Sequence, residues 1–177
     1  RNNELKWAKL ILTRHCNRTC PYCQISNDTE DLPFDTWKLI INKLTDWGVL
    51  AFNLLGGEPT LVAYLNPLIQ YISNKGLIST MTSNGILLNE ETISELGKSG
   101  LFSLQISHDS NNGFGKSDPS MYKKLAAIKK AGIIPVVTSV ATSKNINEVS
   151  DIANSVTREG YFFSFSLYQH HNGVLSP

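Results

Sequence analysis

The sequence predicts an α/β fold in which parallel strands alternate with helices, best drawn as a partial (β/α)6 barrel. Two observations carry this. Six short apolar runs alternate with five stretches of helical three-four periodicity. A glycine closes each of those stretches: Gly48, Gly76, Gly100, Gly132 and Gly160 each follow a helical pattern and precede an apolar run, as suits the left-handed backbone that commonly ends a helix. Strand–helix–strand units of this kind pair in parallel through right-handed crossovers. A barrel is favoured over a flat doubly wound sheet, a choice that periodicity alone leaves open.

In chain order the strands are expected at Lys9–Thr13, Ala51–Leu55, Ile78–Thr82, Ser103–Ser107, Val136–Val140 and Phe162–Leu167. The first helix should bury Trp37, Ile40, Ile41, Leu44 and Trp47, and the second Leu65, Leu68, Ile69 and Ile72. Ile93 and Leu96 mark a third helix and Met121, Leu125 and Ile128 a fourth. Val149, Ile152, Ala153 and Val156 mark a fifth. Asp118 before Pro119 reads as an N-cap followed by proline at the first helical position. Asn145 with Glu148 resembles a capping box.

The composition fits one domain spanning residues 1–177 with a sizeable core: 41% hydrophobic and 18% charged residues, and a net charge of +1. No basic stretch suggests nucleic-acid binding, and no apolar run is long enough for a membrane span. The three cysteines, Cys16, Cys20 and Cys23, lie within one short loop after the first strand. An odd, clustered set is a poor disulfide framework; metal or redox chemistry in a reducing compartment, the cytoplasm, fits better.

Barrels of this kind carry their chemistry in the loops at the C-terminal ends of the strands. The informative residues fall there: the cysteines after strand one, Gly56-Gly57-Glu58-Pro59 after strand two, Ser83-Asn84-Gly85 after strand three, and Ser107-His108-Asp109 at the end of strand four. The C-x3-C-x2-C spacing lets one loop wrap a cubane cluster. Complete protein ligation of such a cluster uses four cysteines, so three leave one iron open to an external ligand. The competing reading is a structural zinc loop with His15 or a distant histidine as fourth ligand.

The cysteine loop, with Tyr22 just before its last cysteine, together with Gly56-Gly57-Glu58-Pro59 after the second strand, resembles the radical S-adenosylmethionine (SAM) superfamily. The likeness runs from Leu10 to about Leu167. It implies a TIM-like barrel, a [4Fe–4S] cluster on Cys16, Cys20 and Cys23, and SAM chelating the fourth iron. It also implies reductive cleavage of SAM to a 5′-deoxyadenosyl radical that abstracts hydrogen from a substrate the sequence does not identify. An electron donor such as flavodoxin or ferredoxin is then needed.

By the same resemblance Gly56, Gly57, Glu58 and Pro59 are expected beside the methionyl group and Tyr22 beside the adenine. Ser83 and Asn84 are expected near SAM or substrate, and Ser107, Asp109 and Ser139 are candidate polar contacts, Asp109 to the ribose. His108 should face away from the site. His170 and His171 could shuttle protons or bind substrate, or belong to an ordinary exposed loop. No cysteine follows Cys23, so no auxiliary cluster can be built within this chain, and a C-terminal substrate-capping extension is expected to be lacking. The alternative is a zinc- or iron–sulfur-binding structural module without radical activity, which would have no need of Glu58.

Overall fold

The computed structural model describes residues 6–20, 22–23, 25, 30–109, 120–143 and 145–167. Among them six strands and five helices alternate: β1 (Lys6–Thr13), α1 (Phe34–Asp46), β2 (Val49–Gly56), α2 (Leu65–Asn74), β3 (Ile78–Ser83), α3 (Glu90–Lys98), β4 (Ser103–Ser107), α4 (Met121–Lys130), β5 (Ile134–Ala141), α5 (Ile146–Arg158) and β6 (Phe162–Leu167). A 3-10 turn at Pro59–Leu61 follows β2. All strands pair in parallel, in the order β1-β2-β3-β4-β5-β6, so each strand lies beside its sequence neighbour and β1 and β6 form the edges. This is the open, partial barrel expected from the alternation of periods.

One face of the sheet is apolar and lies against the helices. Leu10, Phe52, Leu54, Met81, Leu104, Ile106 and Val137 occupy it at alternate strand positions, and the helices answer with Ile41, Leu68, Ile69, Ile72, Ile93, Leu96, Leu125 and Ile128, all at most 5% exposed. Each such side chain contributes about 1.5–3 kcal/mol relative to exposure. The other face carries Asn53, Leu55, Thr80, Thr82, Gln105, Ser107 and Thr138, which are only partly buried. The helix-side pattern therefore fixes which residues are left facing the open side.

The left-handed glycines stand where expected: Gly48, Gly76, Gly100, Gly132 and Gly160 all have φ between 71° and 92°. Two local expectations are corrected. Trp47 is 62% exposed at the C-cap of α1, because the helix ends before the buried stripe returns to it. Asn145 does stand at the N-cap of α5, but its side chain makes no capping bond. It turns back into the preceding loop, where Oδ1 accepts from Thr142 N at 2.7 Å and Nδ2 donates to Val140 O at 2.9 Å. β6 is an apolar strand on an exposed edge, with Phe162, Phe165 and Leu167 more than half exposed; Phe163 alone of its aromatics packs on the core. The cap at Asp118-Pro119 and the histidines at 170 and 171 lie outside the described residues. No helix among the described residues is long and apolar enough to cross a membrane.

Candidate active site at the C-terminal ends of β1 to β4

The cysteine loop leaves β1 at Thr13, and its first residues are held by two backbone hydrogen bonds from the loop after β2. Gly57 N donates to Thr13 O and Glu58 N to His15 O, both at 2.8 Å. Glycine is required at both positions of the pair. A Cβ on Gly56 would meet Thr13 O at 2.3 Å, and Gly56 has φ +153°; a Cβ on Gly57 would meet His15 O at 2.1 Å. The two glycines thus let the β2 loop lie directly on the start of the cysteine loop.

Glu58 is fully buried, and its carboxylate is already occupied. Oε1 accepts from Thr60 Oγ1 at 2.6 Å, Ser83 Oγ at 2.8 Å and Thr60 N at 3.2 Å, while Oε2 accepts from Asn84 N at 2.7 Å. These bonds offset the cost of burying a carboxylate and tie the end of β2 to the end of β3. Pro59, also buried, opens the 3-10 turn that brings Thr60 round to this carboxylate.

The far end of the loop is held by Tyr22. Its hydroxyl donates to Asp109 Oδ2 at 2.5 Å, and Asp109 Oδ1 accepts from Val140 N at 2.8 Å. Burial pushes the Tyr22 phenol well above its ordinary pKa, and the hydrogen bond and charge of Asp109 push it further, with a smaller contribution from Cys20. The phenol stays a neutral donor. Within the loop, Cys23 N donates to Cys20 O at 3.0 Å, turning the chain between the two thiols.

A cavity of about 140 Å³ opens above this floor. Cys16, Cys20, Cys23 and Tyr22 line it from the loop, Gly56 and Gly57 from β2, and Ser83, Asn84 and Ser107 from β3 and β4. These nine candidates share one cavity. Four other candidates do not reach the cavity wall. Glu58 and Pro59 lie beneath it. Asp109 is 1% exposed and does not line the cavity; its carboxylate accepts from Tyr22 and Val140. Ser139 is 2% exposed on the helix side of β5, in phase with buried Val137 and Ala141, and its hydroxyl donates to His108 O. Ser107 instead pairs with Thr138 on the open face.

Two lining residues escaped the sequence reading, Arg18 and Leu55, while Thr82, which opens the polar ending of the third strand, lines the cavity with Ser83 and Asn84. Arg18 lies between two cysteines of one tight loop, which was signal enough to place it at the cavity. Leu55 sits at the end of β2 in phase with the open face, a phase that becomes visible only once the helix side is known.

All three thiols are free, Cys16 and Cys20 half-buried and Cys23 exposed. Among the described residues no three His, Cys, Asp or Glu side chains converge on a single ion position. A tetrahedral zinc site, with Zn–S near 2.3 Å, would bring its sulfurs within about 3.8 Å of one another. A cubane takes each thiolate on a different iron and spreads the sulfurs further apart. Three thiols lining one cavity, with bare glycine backbone as its floor, leave room for a group of that size.

A parallel α/β barrel with a three-thiol loop over its C-terminal strand ends defines the class of cluster-bearing barrel proteins. Comparison with known proteins makes the assignment specific: the radical SAM superfamily profile matches residues 10–156, and the chain belongs to that superfamily, whose members use a [4Fe–4S] cluster and SAM. The PqqA peptide cyclase of Bradyrhizobium diazoefficiens is 35% identical over 102 residues, covering 55% of this chain and 27% of the relative. The sporulation killing factor maturation protein SkfB of Bacillus subtilis is 28% identical over 163 residues, covering 86% of this chain and 40% of the relative. The crystal structure of Streptococcus suis SuiB bound to S-adenosylmethionine superposes with a TM-score of 0.81 at 21% identity, covering 97% of this chain and 43% of that one, a likeness of fold. The chain spans less than half the length of these relatives.

Proposed function

We propose that this chain forms the catalytic core of a radical SAM enzyme acting on a peptide. The observation that carries the reading is the placement of Cys16, Cys20 and Cys23 around one cavity whose floor is the bare backbone of Gly56 and Gly57. The three thiolates would hold three irons of a [4Fe–4S] cluster. With SAM bound, that group supplies reductive cleavage of the carbon–sulfur bond and a 5′-deoxyadenosyl radical that takes hydrogen from substrate.

The chain's own residues do the rest. Gly56 and Gly57 give the methionyl end of SAM a surface without side chains. Glu58 holds that surface against β3 through Ser83 and Asn84. The Tyr22 ring, fixed through its hydroxyl, offers a flat wall for the adenine. Ser107 offers a hydroxyl to the ribose side. Support for a peptide substrate comes from relatives: PqqA peptide cyclases recur among them, and a further SuiB structure is described as bound to the precursor peptide SuiA. A low-potential donor of the flavodoxin or ferredoxin kind would supply the electron, in the cytoplasm.

Anaerobic reconstitution tests the core of this. About four irons and four sulfides should bind per chain, as one cubane requires. Replacing Cys16, Cys20 or Cys23 with Ala should abolish them, and reductant should then release 5′-deoxyadenosine from SAM only in the parent protein. Stoichiometric zinc without iron–sulfur absorption in anaerobic preparations would overturn the reading. Production of 5′-deoxyadenosine that no peptide increases, but a small metabolite does, would overturn the substrate class alone.

A further inference from the structure

Asn84 follows directly on β3 and reaches under the cysteine loop. Its Oδ1 accepts from Ile86 N at 3.0 Å, which settles the orientation of the amide, since only an oxygen can meet a backbone N–H there. Nδ2 therefore points the other way. It donates to Asn17 Oδ1 at 2.7 Å and lies 3.8 Å from Cys16 Sγ, within reach of an N–H···S bond. The backbone of Asn84 is pinned in turn, its N–H donating to Glu58 Oε2 at 2.7 Å. The residue is 9% exposed. An amide held on three sides thus aims a fixed dipole at one thiol.

We propose that Asn84 is a positioning residue for the Cys16 thiolate and, through it, raises the reduction potential of the iron–sulfur cluster; this rests on the reading of the three cysteines as cluster ligands. The physical reason is charge. Reduction adds an electron to a group already ligated by three thiolates, and part of that charge appears on the sulfurs. An N–H aimed at a ligating sulfur stabilises the reduced form more than the oxidised one, and hydrogen bonding to cluster sulfurs is one of the levers that set such potentials. Asn84 itself is buried, so its dipole is screened less than a surface amide would be. Asn17 serves the same end one step removed: by accepting the second N–H it keeps the amide turned toward the loop.

The test is a potentiometric titration of reconstituted protein without SAM, followed by the electron paramagnetic resonance of the reduced cluster. Asn84→Ala removes the donor without adding charge. Asn84→Ser also removes it while leaving a short hydroxyl that can still accept from Ile86 N, which guards the turn. Both variants should keep about four irons and show a midpoint shifted to more negative potential with an altered resonance. Asn17→Ala should shift it in the same direction by less. An unchanged midpoint in both Asn84 variants at full cluster content would overturn the proposal. Loss of the cluster in both would overturn it too, because Asn84 would then be needed to build the loop rather than to tune it. A parent protein that assembles no cluster would instead refute the reading of the cysteines.

Discussion

The Tyr22 hydroxyl donates to Asp109 Oδ2 at 2.5 Å across 87 positions of sequence, joining the last turn of the cysteine loop to the end of β4. Because Asp109 is 1% exposed and also accepts from Val140 N, the contact reaches β5 as well. Tyr22 is thereby fixed at both ends, by its neighbouring cysteine in the chain and by a buried carboxylate at its tip.

This predicts energetic coupling. Tyr22→Phe should destabilise the protein by about 1.5–3 kcal/mol, the usual scale for a hydrogen bond to a charged group. In urea denaturation, a cycle with Asp109→Asn should show the two substitutions interacting by more than about 0.5 kcal/mol. Strict additivity would mean the pair contributes nothing as a pair.

Glu58→Gln should lower stability even in the absence of SAM. Three donors meet Oε1 and one meets Oε2, so an amide NH2 placed at either end confronts a donor with a donor. A loss of about 1–3 kcal/mol follows from leaving a buried group unsatisfied. A denaturation midpoint equal to that of the parent would show that the carboxylate does not clamp β2 to β3.

Gly57→Ala should cripple iron incorporation. The added Cβ would fall 2.1 Å from the His15 carbonyl oxygen, and this obstacle is backbone that cannot rotate away. The cysteine loop must lift off the β2 loop, breaking the Glu58 N to His15 O bond. Iron and sulfide analysis after reconstitution reads the outcome directly; a full complement of both would show that the close approach is dispensable.

Much of this arrangement was legible in the sequence, and the reasons for the exceptions are specific. Strand and helix periods are local properties, so all six strands and the buried faces of α2, α3 and α4 follow from spacing alone. The loop residues share a cavity because parallel strands place their C-terminal ends together. What the sequence does not display is how a polar side chain spends its hydrogen bonds. Glu58 and Asp109 read as ligand contacts in the sequence, and the positions of Thr60, Ser83, Tyr22 and Val140 give both carboxylates internal partners. Ser139 was misread for a simpler reason: the phase of β5 depends on its register with β4, where Ser107 meets Thr138.

The sequential strand order also sets a timetable for the nascent chain. The cysteine loop is made before its anchors, which follow at long intervals: Glu58 for His15, Asn84 for Cys16, then Asp109, with Val140 behind it, for Tyr22. As the ribosome delivers the protein from its N-terminus, the thiols are therefore tethered one end at a time. The last of these anchors, Val140, is made long after the thiols. Delivery of iron and sulfide during synthesis would meet a half-fastened loop, whereas delivery afterwards would have to loosen the Tyr22 latch.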